Sequence, residues 1–282
     1  MKIRRVLLDA FGTVFSPTQP VYTQYAEVAR SFGLDVTDSQ VRAGFKRAFK
    51  KWAQTHPLYG KHSVPPLEPR WWWKGVIGDT FRFAGVSHLE VTKVENELSD
   101  SLIDRFAGPG YTLHSEVPNF LQSLSLLDIP PPSIVSNTDP ILSTIFDHLG
   151  VSERTLGSSG IKSQEIYTTW HFEKEKQDVR YWQDVFTRLE QGQSESDSEA
   201  LKPEQVLVVG DELQADYETP RKAGFQSLLL RRRAPETAAG EGRRQVDHAN
   251  PTYVDEVEGT HNEIDTVQDL IEVLTWIETR NS

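Results

Sequence analysis

Three stretches of this chain end in side chains that can do chemistry. Arg5-Val6-Leu7-Leu8 runs into Asp9, and Ala10-Phe11-Gly12-Thr13 follows, so a carboxylate is delivered onto a glycine turn with an aromatic ring two positions on. Ser133-Ile134-Val135 runs into Ser136-Asn137-Thr138-Asp139, and Gln205-Val206-Leu207-Val208-Val209 into Gly210-Asp211, with Asp216 five positions later. Carboxylates, a hydroxyl and an amide at the ends of apolar runs can hold a cation, bind the oxygens of an anion or attack an electrophile. Each of them alone reads equally well as a helix cap or a turn.

The elements that must position them follow from the same runs. With Gln226-Ser227-Leu228-Leu229-Leu230 there are four short apolar segments separated by helical periods. That is the pattern of strands buried on both faces, hence an α/β, Rossmann-like parallel sheet covered by helices. In such a sheet ligands bind beyond the carboxyl ends of the strands, so Asp9, Ser136-Asn137 and Gly210-Asp211 should converge on one crevice. Asp139-Pro140 reads as the N-cap and first turn of a helix from Ile141 to Leu149, closed by Gly150. Arg180 to Leu189 and Thr266 to Thr279 also carry apolar residues at helical spacing.

Between about Ser16 and Ser115 the pattern is helical throughout, in Val21 to Phe32, Ser39 to Gln54, Trp71 to Ala84 and Val91 to Phe106, with no buried strand. This predicts an inserted α-helical cap domain at 17–115, between the two parts of a core at 1–16 and 116–282. Segments 191–201 and 234–262 are polar or charged and rich in small residues, and are expected as flexible loops within the core. Caps that close over a crevice exclude water and supply substrate contacts.

Composition narrows the function classes. A length of 282 residues with 37% hydrophobic content suits one large domain or two modest ones. The formal charge of -11 argues against nucleic acid and anionic membrane as partners. Arg231-Arg232-Arg233 can bind an anion locally but reads better as a solvated strand end. Cysteine is absent, which removes thiolate catalysis, disulfides and Cys-ligated metal sites. No stretch reaches the roughly 20 apolar residues of a membrane helix, and Asp9 interrupts any signal-peptide core. The expected location is cytoplasmic, with nuclear residence left open.

The order of the motifs is more specific than any one of them. A strand with Asp9-x-x-Gly12-Thr13, a helical insert, a strand with Ser136-Asn137, a lysine region, and a strand with Gly210-Asp211 and Asp216 resembles the haloacid dehalogenase-like hydrolases over almost the whole chain. Trp71-Trp72-Trp73, Phe83-Ala84-Gly85-Val86 and Gly210-Asp211-Glu212-Leu213 resemble the eukaryotic branch called haloacid dehalogenase-like hydrolase domain-containing protein 3. The resemblance implies hydrolysis of a small phosphorylated metabolite through an aspartyl intermediate on Asp9. It implies Ser136 and a lysine as catalytic groups, with Thr13 and Asn137 against the substrate, Asn137 orienting Asp9 or the substrate. It also implies Mg2+ held by Asp9, the backbone carbonyl of Phe11, Asp211 and Asp216, with Glu212 in support. The lysine is preferred at Lys176, which precedes Gln177-Asp178-Val179-Arg180 as a lysine precedes a helix in that family. Lys174 and Lys162 stay open.

Phe11 departs from the pattern. Phosphatases of the family carry an aspartate there, and a phenyl ring cannot move a proton, a loss worth about a hundred- to ten-thousandfold in rate. Three readings therefore stand: a magnesium-dependent and slow phosphate-ester hydrolase; a metal-independent 2-haloacid dehalogenase with a halide cradle drawn from Arg42, Arg70 or Lys74; and a non-catalytic phosphate-binding or protein-interaction member. The Trp71 to Trp73 cluster reads as helix core more readily than as a substrate entrance.

Overall fold

The computed structural model describes residues 2–192, 199–232 and 265–282, and among them the apolar runs become strands. They are β1 (Arg5–Asp9), β2 (Phe15–Pro17), β3 (Tyr111–Leu113), β4 (Ser133–Ser136), β5 (Ile166–Thr168), β6 (Val206–Gly210), β7 (Gln226–Leu230) and β8 (Thr266–Val267). Six of them form one sheet in the order β5-β4-β1-β6-β7-β8, every pair parallel. β2 and β3 pair separately as a two-stranded ribbon. The chain divides into two compact units, one from Pro17 to Thr112 and the other holding the parallel sheet.

The helical unit contains α1 (Val21–Ser31), α2 (Asp38–Thr55), α3 (Pro69–Phe83) and α4 (His88–Arg105). α2 and α4 start on capping boxes, Thr37 with Gln40 and Ser87 with Glu90, and α3 starts on a proline, whose missing N–H costs nothing in a first turn. Tyr25, Ala29, Val41, Ile77, Phe81, Val91, Leu98 and Leu102 form its core. α2 and α3 lie close because Gly44 has no side chain: a β-carbon there would sit 2.2 Å from the Thr80 carbonyl oxygen.

In the sheet unit, α5 (Val117–Leu126), α6 (Leu142–His148), α7 (Val179–Gln191) and α8 (Leu270–Asn281) surround the strands. Leu7, Val135, Val206 and Val208 pack with Tyr181, Trp182, Val185 and Leu189 of α7 on one face. Val6, Leu8 and Leu207, on the alternate face, are buried as well.

Three expectations need correction. Thr266 and Val267 are not helical: they pair with Leu229 and Leu230 as a sixth strand, and a helix starts only at Leu270, where Asp269 accepts from the Glu272 N–H at 2.9 Å. Asp139 accepts from the Ile141 N–H at 2.9 Å, which makes a turn, and α6 begins one residue later than predicted, at Leu142. β3 lies inside the stretch read as purely helical, but it is three residues long and only half-buried, so no apolar run marks it. Of the segment 191–201, Gln191 closes α7 and Leu201 is buried in the core, while 193–198 lie outside the described residues, as does the expected loop at 234–262.

Gly44→Ala gives a clean test of the helix contact. An alanine would ordinarily stabilise a helix interior by about 1 kcal/mol over glycine. Here the clash with a backbone oxygen reverses the sign, and the variant should lose about 1–3 kcal/mol in urea unfolding.

Candidate active site

The winding of the sheet decides where the reactive groups meet. From β1 the chain goes to β4 and β5 on one side, then crosses to β6, β7 and β8 on the other. A crevice opens where the winding reverses, at the carboxyl ends of β1 and β6, and these two strands are direct neighbours with Leu8 opposite Val209. Asp9 ends β1; Gly210 ends β6 and is followed by Asp211 and Asp216. Carboxylate oxygens of Asp9, Asp211 and Asp216 lie within 4.8 Å of one another.

One ammonium answers them. Lys176 Nζ donates to Asp9 Oδ1 at 2.5 Å and to Asp216 Oδ1 at 2.7 Å, and all three side chains are buried. Asp216 belongs to a π-helical turn, Leu213–Glu218, and its Oδ2 accepts the Glu212 N–H at 3.0 Å. Gly210 makes room for it, since a β-carbon there would stand 2.3 Å from Asp216 Cγ. Lys174 turns instead to Asp184, and Lys162 lies 3.9 Å from Glu165.

The lysine is held by its backbone. Asn137 Oδ1 accepts from the Lys176 N–H at 2.8 Å and from Thr169 Oγ1 at 3.0 Å, and Asn137 Nδ2 donates to Gln177 Oε1 at 3.0 Å. The Lys176 carbonyl accepts from Trp182 Nε1 at 2.8 Å, and that indole is fully buried in α7. Asn137 thus engages the lysine loop, where the sequence reading gave it Asp9 or the substrate.

Electrostatics follow from the burial. Desolvation pushes the Asp9 carboxyl well up, with the Lys176 ammonium opposing and Asp216 and Asp211 adding to the rise. Desolvation raises Asp216 too, again against Lys176. For Lys176 burial works to lower the value, but the Asp216 and Asp9 carboxylates outweigh it and hold the ammonium well above its ordinary range. Three carboxylates facing one ammonium leave negative charge in excess. Hard oxygen donors of that kind fit a small divalent cation such as Mg2+.

The turn after Asp9 is compact. The Gly12 N–H donates to the Phe15 carbonyl at 2.7 Å and the Val14 N–H to the Ala10 carbonyl at 2.9 Å. Gly12 has φ +79°, a conformation that favours glycine. The Phe11 ring packs edge-on to Phe15 at 4.8 Å. Thr13 is fully buried and its hydroxyl has no hydrogen-bond partner among the described residues. Ser136 is buried at the end of β4, its carbonyl accepting from Thr169 Oγ1 at 3.4 Å.

The structure also brings in residues that the sequence reading missed. Thr169 secures Asn137, and no local signal distinguishes it from any other threonine after a short strand. Arg231 is exposed at the end of β7, as expected, but its Nη1 donates to the Asp211 carbonyl at 2.6 Å; Arg232 is half-buried and reaches the Gly12 and Thr13 carbonyls at 3.1 and 2.7 Å. Arg233 lies outside the described residues.

Within the helical unit, Trp72 is buried core, packed against Phe49, Trp52, Tyr59 and Trp73, while Trp71 is 58% exposed. Arg70 and Lys74 both reach Asp100 at 2.7 Å, and the Arg42 guanidinium lies 5.4 Å from the Tyr22 ring centre.

No family model matches the chain. Its relatives include haloacid dehalogenase-like hydrolase domain-containing protein 3 of Danio rerio, 27% identical over 232 residues, covering 82% of this chain and 86% of that protein. The defluorinating L-2-haloacid dehalogenase Rha0230 has a similar fold, with a TM-score of 0.63 at 14% identity over 98% of this chain and 95% of that one. The hydrolase YfnB of Bacillus subtilis, solved bound to magnesium, gives 0.57 at 14% over 99% and 100%. The chain is therefore similar to the haloacid dehalogenase-like hydrolases in sequence and in fold. Among the described residues no helix is long and apolar enough to cross a membrane.

Lys176→Met should lower stability at pH 7 by about 3–5 kcal/mol, because buried carboxylates lose their counter-charge. Lys176 opposes the rise of Asp9 and Asp216, so its removal lifts both carboxyls further, and the folded variant takes up protons ahead of folded wild type as pH falls from 7 toward the ordinary carboxylate range. The deficit relative to wild type should shrink over that window. Urea unfolding at pH 7 and pH 5 measures it, and a constant deficit contradicts the charge assignment.

Proposed function

We propose that this chain, which resembles the haloacid dehalogenase-like hydrolases, hydrolyses small phosphorylated metabolites with magnesium, using Asp9 as nucleophile. The observation that carries the reading is the buried Asp9–Lys176–Asp216 ion triad with Asp211 beside it, a site with negative charge in excess at the sheet's topological switch point. Structural needs alone rarely justify two buried carboxylates on one buried ammonium, since desolvation costs several kcal/mol per ion.

In this reading Lys176 holds Oδ1 of Asp9, and Oδ2 attacks phosphorus in line with the ester oxygen, which leaves with the bonding pair. Water then attacks the phosphorus and the Oδ2–P bond breaks, which restores the Asp9 carboxylate; one water proton stays on the released hydrogen phosphate and the other, through solvent, ends on the departed ester oxygen. The Lys176 ammonium, the Ser136 hydroxyl and the Thr13 hydroxyl meet the phosphoryl oxygens, and a substrate oxygen gives the Thr13 hydroxyl the partner it lacks among the described residues. Asn137 and Thr169 keep Lys176 in place. Asp9, the Phe11 carbonyl, Asp211 and Asp216 would hold Mg2+, which when bound neutralises charge on the transferring group. In the same reading the helical unit is the substrate-selecting cap, and a cytoplasmic location is proposed with it.

Phe11 shapes the expected rate. No side chain at that position protonates the leaving oxygen, so esters with acidic leaving groups should react far faster than alkyl phosphates. A second reading, 2-haloacid hydrolysis, is favoured by Phe11 alone, because a departing halide needs no proton. Against it, Arg70 and Lys74, two of its three candidate halide ligands, share the Asp100 carboxylate.

Purified protein screened against phosphate esters and 2-haloacids separates the readings. Phosphate release should be abolished by EDTA and fall to background in Asp9→Asn; halide release indifferent to EDTA would replace the proposal with the second reading. Phe11→Asp should raise turnover of alkyl phosphates by about a hundredfold or more and that of aryl phosphates much less. Equal rates with Phe11→Asp and wild type on alkyl esters would show that proton transfer is not what Phe11 withholds.

A further inference from the structure

The two arginines that follow β7 take no part in the reaction proposed above, yet each grips a loop of the site. The Arg231 N–H donates to the Val267 carbonyl at 2.8 Å, which extends the pairing of β7 with β8 by one residue and fixes the backbone there. Successive residues of an extended chain project to opposite sides, so the two guanidinium groups reach different targets. Arg231 takes the carbonyl of Asp211. Arg232 takes three groups at once: Nε donates to the Gly12 carbonyl at 3.1 Å, Nη2 to the Thr13 carbonyl at 2.7 Å, and Nη1 to Glu116 Oε1 at 2.5 Å.

We propose that Arg232 is a positioning residue that fixes the turn carrying Asp9. Within the turn the bonds are short-range, from Gly12 to Phe15 and from Val14 and Phe15 to Ala10, and its far end is tied where the His114 N–H donates to the Val14 carbonyl at 3.1 Å. None of these bonds holds the Gly12 and Thr13 carbonyls at the tip of the turn. Arg232 supplies a long-range tie, from residue 232 to residues 12 and 13, on a side chain only 22% exposed. Glu116, just before α5 and 16% exposed, neutralises the guanidinium. With its charge already met, Arg232 serves as a rigid fork for two carbonyls, and a substrate anion would have to displace Glu116 to reach it. A lysine cannot replace it, since one ammonium cannot address two carbonyls and a carboxylate lying around a planar donor set. Through the turn, Arg232 sets both the Asp9 carboxylate and the Phe11 carbonyl.

The kinetic part of this inference rests on Asp9 as nucleophile; the structural part does not. The test compares wild type, Arg232→Met and Arg232→Lys by hydrogen–deuterium exchange and by magnesium-dependent hydrolysis of para-nitrophenyl phosphate. Exchange in the segment 10–16 should quicken by about tenfold in Arg232→Met, the size expected for two lost hydrogen bonds, while β6 and α7 stay protected. Arg232→Lys should fall between. kcat should drop by about ten- to a hundredfold in Arg232→Met with KM within about threefold, since misplacement of the nucleophile affects the transition state and leaves ground-state binding alone. Unchanged exchange in 10–16 overturns the proposal, as does a raised KM at unchanged kcat, which would make Arg232 a substrate contact. If wild type releases no phosphate, the reading of Asp9 falls, and exchange alone decides on the clamp.

Discussion

A buried ammonium shared between two buried carboxylates governs this structure. Placing Lys176, Asp9 and Asp216 out of water costs several kcal/mol for each ion, and only close geometry recovers it. Every nearby feature serves that geometry. Gly210 yields the volume that the Asp216 carboxylate fills, and a π-helical turn brings Asp216 round to it. Trp182 and Asn137 fix the backbone on either side of Lys176, so that its side chain enters the core with its charge already directed.

The sheet explains why these groups can meet at all. β1 lies between β4 and β6, so the ends of three strands from distant parts of the sequence become neighbours. Reversal of the winding at β1 and β6 leaves no crossover above their carboxyl ends, and the acidic groups occupy that gap. β7 adds the arginines that hold the loops from the side. Rigidity at the reacting group is thus supplied by elements that never touch a substrate, which is how a site keeps its geometry when its own turn is short.

How much was legible in the sequence depends on how local the cause is. Asp9, Ser136 and Asp211 stand at the ends of apolar runs long enough to be strands on both-face burial alone, whereas Asp216 was marked by its spacing after Asp211 within the family resemblance. Lys176 could be preferred over Lys174 and Lys162 only through the resemblance, because Gln177-Asp178-Val179-Arg180-Tyr181-Trp182 is similar to the run that follows the lysine in that family. β5 and β8 were not visible, being three and two residues long, too short to show a period. The helical reading from Thr266 failed because β7 offered Leu229 and Leu230 as pairing partners, a tertiary effect that outweighs local spacing. Arg232 looked like part of a solvated run, since its partners, two backbone carbonyls and Glu116, lie 116 to 220 positions away and carbonyls carry no side-chain signature. Phe11 was legible as a departure, and the structure adds that its ring is packed against Phe15.

The central claim is that Asp9 becomes covalently attached to the transferred group. Its most direct test is to mix the protein with magnesium and a small aryl phosphate, quench within a turnover, reduce with borohydride and map the peptides by mass spectrometry. The account expects the aspartate of the peptide containing Arg5 to Phe15 to be reduced at Asp9, in proportion to turnover and absent without magnesium. Phosphate release with Asp9 unmodified at every quench time would contradict it.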